Sequence, residues 1–343
     1  MIHSFLCPLV HVPHANPVIF AMTLPESLDL KPLTVSRKAQ IARDIFYFEL
    51  RDPAGLPLAP YTAGAHVPVR VPNGVMRQYS LCSDARHTDH YALAVKRDAA
   101  GRGGSISLID DLAEGDTLMV GEPRNLFELS DKARSFILLA GGIGITPIMA
   151  MVRSLQAEGM RPFKVYYFTR DAEGTAFAAE LADPELAGQV RIHHDQGDPA
   201  KAFDLWKLFE KPVSGAHVYC CGPQGLMDAL RDMTGHWPDN AIHFESFGAD
   251  TRPHADDQPF EIELAQSGQR LQVGVGQTML QVLQQAQVMV ASSCESGTCG
   301  SCKVGLLKGE ADHRDQVLLP EERASQVMVC VSRARGERLV LDL

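Results

Sequence analysis

The sequence predicts a multidomain protein built from an antiparallel β-barrel, an α/β domain with a parallel sheet, and a smaller α+β domain. Three observations carry this. The chain has 343 residues, more than a single hydrophobic core usually serves. Its hydrophobic pattern changes character near residues 130 and 248. Finally, "SSCESGTCGSCKV", Ser292 to Val304, gathers three cysteines close to the C-terminus, which marks a separate unit organised around a small site.

Residues 1–26 are set apart as an extension. The opening "MIHSFLCPLVHVPHANPVIFA" is apolar but broken by three prolines, and it lacks the basic start and clean apolar core of a secretory signal. The expectation is a disordered extension or a start-site artefact, with Met22 as the working start. Without an export signal the expected compartment is the cytoplasm, where clustered cysteines are more often metal ligands or catalytic groups than disulfides.

From residue 27 to 130, runs such as "IFYFEL" and "AHVPVRV" alternate apolar with polar and are separated by Pro/Gly-rich turns. That period belongs to half-buried strands, and their spacing to a small antiparallel barrel. From 131 to 248, "FILLAGG", "KVYYFTR" and "HVYCCGP" alternate with helix-like stretches, the pattern of βαβ units on a parallel sheet. Residues 249–258 fall in a polar, proline-containing segment and read as a linker. From 259 to 343, "FEIEL", a turn at Gln266 to Gln269 and "LQVGV" predict a hairpin, followed by a helix in "TMLQVLQQAQV".

Composition narrows the function classes. With 45% hydrophobic and 22% charged residues the chain has an ordinary globular balance, and no apolar run approaches the roughly 18 residues that cross a bilayer. A net charge of −10 argues against nucleic acid, whose binding rests on phosphate neutralisation. An acidic surface suits a cationic patch on a protein partner.

Cys294, Cys299 and Cys302, with Cys330 downstream, have the spacing of plant-type [2Fe-2S] ligands. Four thiolates around two irons carry net negative charge, and Gly297, Thr298, Gly300 and Ser301 can bend the chain so that backbone N–H groups face sulfur. A tetrahedral zinc site is the competing reading, but it would usually offer two close cysteine pairs.

In "FILLAGGIGITPIMAM" a buried strand ends at Ala140, runs into Gly141, Gly142 and Gly144, and opens a helix at Thr146-Pro147. A pyrophosphate can approach such a turn and sit on the helix N-terminus. A plain strand-to-helix turn would look similar. Cys221-Gly222-Pro223 ends a second strand on the same carboxyl edge, where ligands of open α/β sheets collect. Cys221 there either touches a nicotinamide ring or is a small buried residue. Thr169-Arg170-Asp171 follow "KVYYF". The Asp171 carboxylate would repel a 2′-phosphate and favour NADH, Arg170 pulls the other way, and the plainer reading is a solvated turn.

In the first part, "RQYSL" places Arg77 and Tyr79 on one face of a strand with Ser80 beside them. Arginine can grip a phosphate, tyrosine can lie against a flat ring, and a serine hydroxyl can bond a ring nitrogen. The run also reads as an ordinary barrel strand. "GRGGS" supplies Gly103 and Gly104 before Ser105, expected to cap the following helix and to form a second anion site.

In this order, "RQYSL", "GRGGS", "GGIGITP", "CCGP", "HFESFG" and the ferredoxin cysteines resemble the phthalate dioxygenase reductase family, from about residue 27 to the C-terminus. The resemblance implies an FMN-binding barrel, an NADH-binding α/β domain and an α+β plant-type ferredoxin domain holding the [2Fe-2S] cluster. It puts Arg77, Tyr79, Ser80, Lys96 and Ser105 on flavin-binding positions and Phe247 on one that covers the ring. Ser80 and Cys221 are the side chains expected at the reacting atoms.

Nicotinamide gives up two electrons as hydride, an iron–sulfur cluster takes one, and a flavin can do both. The expected acceptor is a separate Rieske-type oxygenase acting on a phthalate-like aromatic acid. Alternatives are a cytochrome, a separate ferredoxin or an O-demethylase oxygenase. His193-His194 with Asp195 sit next to one another and do not suggest an oxygen-activating triad. Contact with the oxygenase is expected to be brief, near Glu295, Ser296 and Thr298, with Asp312 and Asp315 steering the encounter, and the protein to be a monomer.

Overall fold

The computed structural model describes residues 29–99, 101, 103–247, 256–292, 295, 297, 300–315, 318–319 and 321–343. The first part holds β1 (Lys31–Ala42), β2 (Ile45–Arg51), β3 (Ala65–Arg70), β4 (Met76–Ser80), β5 (Tyr91–Lys96), β6 (Thr117–Val120) and β7 (Arg124–Asn125). The sheet runs β4-β3-β6-β1-β2-β5, with β7 on β3. It closes into a barrel where Leu81 bridges Leu93 and the Cys82 N–H donates to the Ala92 carbonyl at 2.9 Å. Val35, Phe48, Leu50, Val67, Val69, Leu81 and Leu93 fill it, so the alternation in the sequence is the inward and outward alternation of the strands. Helix α1 (Gly104–Asp110) follows β5, and Lys38 Nζ donates to the Ile109 and Leu112 carbonyls at its C-terminal end.

The second part holds β8 (Ser135–Gly141), α2 (Ile145–Glu158), β9 (Phe163–Thr169), α3 (Ala178–Leu181), β10 (Val190–His194), α4 (Trp206–Phe209), β11 (Ala216–Cys221), α5 (Gln224–Thr234) and β12 (Ile242–Glu245). All pairs of its sheet, β10-β9-β8-β11-β12, are parallel. The order reverses between β8 and β11, so their carboxyl ends flank the crevice where such sheets bind ligands.

Barrel and sheet share a core. Ile45, Cys82, Ala92 and Ala94 of the barrel pack in one buried cluster with Ile145, Ile148 and Met149 of α2. Arg153 of α2 reaches the Cys82 carbonyl while its other nitrogens grip Glu180 at 2.7 and 2.6 Å. Together these contacts fix the end of β4 against the helix that opens after the glycine turn.

The third part holds β13 (Phe260–Leu264), β14 (Arg270–Val273), α6 (Met279–Gln285), β15 (Lys303–Lys308), β16 (Ala311–Asp312), β17 (Gln326–Met328), β18 (Arg333–Ala334) and β19 (Arg338–Leu341). Its main sheet is β14-β13-β19-β15-β17. The predicted hairpin is β13–β14, antiparallel, with Gly268 at φ 69 in its turn. The predicted helix is α6, opened by a capping box in which Thr278 and Gln281 satisfy each other's backbone N–H groups. Asp257, read from the sequence as linker, is held by Arg314 at 2.5 and 3.3 Å, with Arg333 at 3.6 Å.

Candidate functional site

Parallel pairing of β11 and β12 sets Cys221 beside Glu245, and the barrel brings Ser80 against them. Ser80 Oγ donates to Glu245 Oε2 at 3.4 Å. Ser80 is the last residue of β4, and its strand is held in place through Cys82 and Arg153. Two residues expected at the reacting atoms, Ser80 and Cys221, therefore flank one carboxylate that sequence reasoning passed over. Glu245 lies within the quoted "HFESFG", but only strand pairing reveals that it ends beside Cys221.

The site is poorly hydrated. Cys221 has no exposed surface, and burial, reinforced by Glu245, pushes its thiol well above the ordinary range, so it stays neutral. Glu245 keeps partial solvent access, as a cleft wall does, yet loss of hydration pushes its carboxyl up to about 8, with the Ser80 hydrogen bond pulling the other way.

The glycine turns are explained by close approach. A Cβ on Gly144 would lie 2.2 Å from the Cys221 carbonyl oxygen, and one on Gly141 would lie 2.5 Å from Pro223 Cδ. Gly222 faces Gly141 in the same way, at 3.0 Å. These glycines let the β8 and β11 turns touch. Gly142 differs: its φ is 54 and nothing lies within 4 Å of its would-be Cβ, which leaves open backbone for a phosphate to approach. Thr146 is buried and its hydroxyl donates to the Ile143 carbonyl at 3.1 Å, while Pro147 is buried beside it. Both shape the turn from behind.

On the barrel, Arg77 lies across Gly104; a Cβ there would be 2.6 Å from Arg77 Nε. Gly103, at φ 78, is the N-cap of α1 and is open towards Asn73. The sequence reading made Ser105 the cap. That is corrected: the cap is Gly103 and the helix begins two residues earlier, and the Ser105 hydroxyl accepts from the Asp98 N–H at 3.1 Å. An arginine over a glycine turn fits a terminal phosphate. Tyr79 packs half-buried against the barrel core, its phenol pushed up to about 12 by burial. Lys96 ends β5 and is exposed, and Phe247, 45% exposed, follows β12.

At the end of β9 the Thr169 hydroxyl bonds Thr175 Oγ1 at 2.8 Å and His194 Nδ1 at 2.9 Å, and Arg170 is exposed. Asp171 is no bare carboxylate. It pairs with Arg43 of the β1–β2 turn at 2.5 Å and accepts from the Gly174 N–H at 2.8 Å.

Of the four cysteines expected from the sequence to hold a cluster, Cys294 and Cys299 lie outside the described residues. Cys302 and Cys330 are both buried, on segments tied together by the Val329 N–H donating to the Cys302 carbonyl at 3.2 Å. Around them Glu295, Gly297 and Gly300 all have positive φ, 51, 70 and 79. Buried thiols beside left-handed turns fit a cluster whose sulfurs take backbone N–H donors. Steering by Asp312 and Asp315 is corrected: Asp315 is buried with its Oδ2 accepting from Leu318, and Asp312 pairs with Arg314 at 2.7 Å. Ser296 and Thr298 lie outside the described residues.

Comparison with known proteins agrees with this geometry. Residues 32–128 match the oxidoreductase FAD-binding domain family and residues 262–335 the 2Fe-2S iron-sulfur cluster binding domain family. A phthalate dioxygenase reductase from Burkholderia cepacia is 56% identical over 322 residues, covering 94% of this chain and 100% of that protein. The chain belongs to the phthalate dioxygenase reductase family. A phthalate 4,5-dioxygenase oxygenase reductase subunit from Pseudomonas putida is 53% identical over 324 residues, 94% of this chain and 100% of that one. The crystallised phthalate dioxygenase reductase, described as a modular structure for electron transfer from pyridine nucleotides to [2Fe-2S], superposes with a TM-score of 0.74 at 56% identity, covering 92% of this chain and 98% of that one. The chain is thus an oxidoreductase with a flavin-binding barrel, a nucleotide-binding parallel sheet and a [2Fe-2S] ferredoxin domain. Among the described residues no helix is long and apolar enough to cross a membrane.

Proposed function

We propose that this reductase passes electrons from NADH through FMN and the [2Fe-2S] cluster to a Rieske-type oxygenase that acts on a phthalate-like aromatic acid. The observation that carries the reading is the meeting of Ser80 with Glu245 and Cys221, at which the barrel strand of Arg77 and Tyr79 ends on the carboxyl edge of the parallel sheet. Flavin bound there supplies the conversion of a hydride into single electrons.

The protein's own groups bind and orient. Arg77 and the Gly103-Gly104 turn hold the flavin phosphate, Tyr79 lies against the ring system, and Phe247 covers it from the exposed side. Lys96 and Ser105 border the same pocket. FMN is favoured over FAD by the likeness to the phthalate dioxygenase reductases. Gly142, with Gly144, Thr146 and Pro147 behind it, receives the nucleotide pyrophosphate, and Cys221-Gly222-Pro223 floor the nicotinamide end. Thr169, Arg170 and Asp171 border the adenosine ribose. The buried Cys221 thiol leaves no room for water at the floor of the site, and Glu245 beside it accepts from Ser80 Oγ. Cys294, Cys299, Cys302 and Cys330 hold the cluster. The oxygenase contact is transient, the protein acts as a monomer, and its compartment is the cytoplasm.

The test mixes purified protein and NADH with candidate Rieske oxygenases, with and without aromatic acids, and measures product per NADH consumed. Coupled turnover with a phthalate-type oxygenase is expected. Fast reduction of a cytochrome or a separate ferredoxin, with no coupled turnover by any Rieske oxygenase, would overturn the proposed partner.

A further inference from the structure

The ferredoxin part carries an open cleft of about 380 Å³ at one end of the antiparallel β15–β17 pair, with Cys302 and Cys330 at the other. Leu306 and Ala324 line it together with Arg323, Arg335, His313 and Glu310. The charges arrive from three segments. Glu310 lies in the turn after β15, and Arg335 follows β18; pairing of β16 with β18, and the Arg335 N–H donating to the Glu310 carbonyl at 2.9 Å, bring these two together. Arg323 comes from the turn before β17, where His313 Nε2 donates to its carbonyl at 3.0 Å.

The acidic groups nearby are already engaged. Asp312 pairs with Arg314 at 2.7 Å and Glu322 with Lys303 at 3.1 Å, while Asp315 is buried. Glu310 meets Arg335 at 3.3 Å, but both side chains are mostly exposed, and such a pair exchanges partners at little cost. Glu321 is exposed on the same turn as Arg323 but does not line the cleft. The Arg323 guanidinium makes no hydrogen bond or ion pair among the described residues.

We propose that this cleft receives an exposed carboxylate of the electron-accepting protein, with Arg323 and Arg335 gripping an acidic side chain of the docked oxygenase. This rests on the acceptor proposed above. Small-molecule pockets enclose most of their ligand between apolar walls, whereas this cleft is open and both its arginines are exposed. Arginine beside exposed apolar surface suits a protein contact instead, and Leu319, 56% exposed, stands on the Arg323 turn. Leu306 follows Cys302 by four residues, about 13 Å along a strand. A standard interface covers about 800 Å² per partner, roughly 30 Å across, so one docked protein can span the cleft and the surroundings of the cluster. On a chain of net charge −10 an acidic partner is repelled from afar, so its attraction must act locally, within a Debye length of about 8 Å.

The experiment is steady-state electron transfer from NADH to the Rieske oxygenase that supports coupled turnover, read as KM for the oxygenase at low and at high salt. Loss of one exposed ion pair changes affinity about two- to fivefold. Arg323→Ala should raise KM by that factor, and Arg323→Glu, which adds repulsion, by about four- to twenty-five-fold at low salt and less at high salt. Glu310→Gln frees Arg335 and should lower KM by up to about twofold. Lys211→Glu makes the same charge change on an exposed residue of the middle part and should move KM by less than about twofold. Cluster absorbance is recorded for each variant, and Arg323→Ala carries the test should Arg323→Glu lose its cluster. An unchanged KM in cluster-loaded Arg323→Glu would overturn the cleft alone, as would an equal rise in Lys211→Glu, which would reduce the effect to net charge. A parent protein that reduces no Rieske oxygenase would instead overturn the acceptor reading and this inference with it.

Discussion

Replacing Glu245 by glutamine tests how the cleft is built. Its carboxyl is pushed up to about 8 by lost hydration, against an ordinary value near about 4.3. The folded state therefore holds the proton more tightly than the unfolded state. The resulting penalty is absent below about pH 4, grows as the pH rises through the unfolded value, and is complete above about pH 8. At about 1.4 kcal/mol per unit, the undiscounted cost is roughly 1 kcal/mol at pH 5 and nearly 5 kcal/mol at pH 8.5. Water reaching the cleft reduces both, leaving a difference of about 1–2 kcal/mol. Glutamine has the same shape and no titration, so Glu245→Gln should match the parent near pH 5 and melt about 2–8 °C higher at pH 8.5, at about 2–4 °C per kcal/mol. Thermal melts of the flavin-loaded protein at both pH values measure this. An equal shift at both would refute the account, because nothing but ionisation of Glu245 makes the effect grow with pH.

Cys302→Ser and Cys330→Ser should each abolish the broad iron–sulfur absorption while the flavin stays bound, since the flavin site lies in the barrel; NADH oxidation with ferricyanide should persist and cytochrome c reduction fail. Full cytochrome c reduction without a cluster would reverse the proposed order of electron flow. Gly144→Ala drives a methyl to 2.2 Å from the Cys221 carbonyl oxygen, so the two turns must part by about an ångström; a loss of about 1–3 kcal/mol with a sharply raised KM for NADH is expected. Gly142→Ala has space within the protein and meets only its positive φ, so it should cost about 1–2 kcal/mol and raise KM by placing a methyl where the pyrophosphate approaches; a Gly144→Ala protein as stable as the parent would contradict the packing argument. Asp257→Asn leaves Arg314 and Arg333 without their shared carboxylate and should lower the melting of the C-terminal domain by several degrees, read by loss of cluster absorbance on heating; an unchanged transition would show that the pair contributes nothing.

Much of this protein was already legible along the chain. The period of two in "IFYFEL" and "AHVPVRV" became β2 and β3, and the apolar runs of the middle part became buried parallel strands, because burial on one face or both writes itself into local hydrophobicity. The glycine turns were readable for a similar reason: close approach at Gly141 and Gly144 and a positive φ at Gly142 disfavour other residues, so all three stand out in sequence. Cysteine spacing carries its own message, since one cluster binds ligands at short fixed reach. Ser105 was misassigned by two residues because Gly103, with φ 78, lets the helix begin earlier than side-chain capping alone suggests. Folding decided what depends on partners far apart in the chain. Glu245 meets Ser80 only because the barrel docks on the carboxyl edge of the sheet, and its raised pKa comes from the protein packed around it, not from its neighbours in sequence. Asp171 looked like a bare charge until Arg43 arrived from another domain, and Asp315 looked like surface until it was buried. Local pattern records which way a residue faces, whereas charge and hydration are set by whatever the tertiary structure brings into contact, and those contacts leave no period in the sequence.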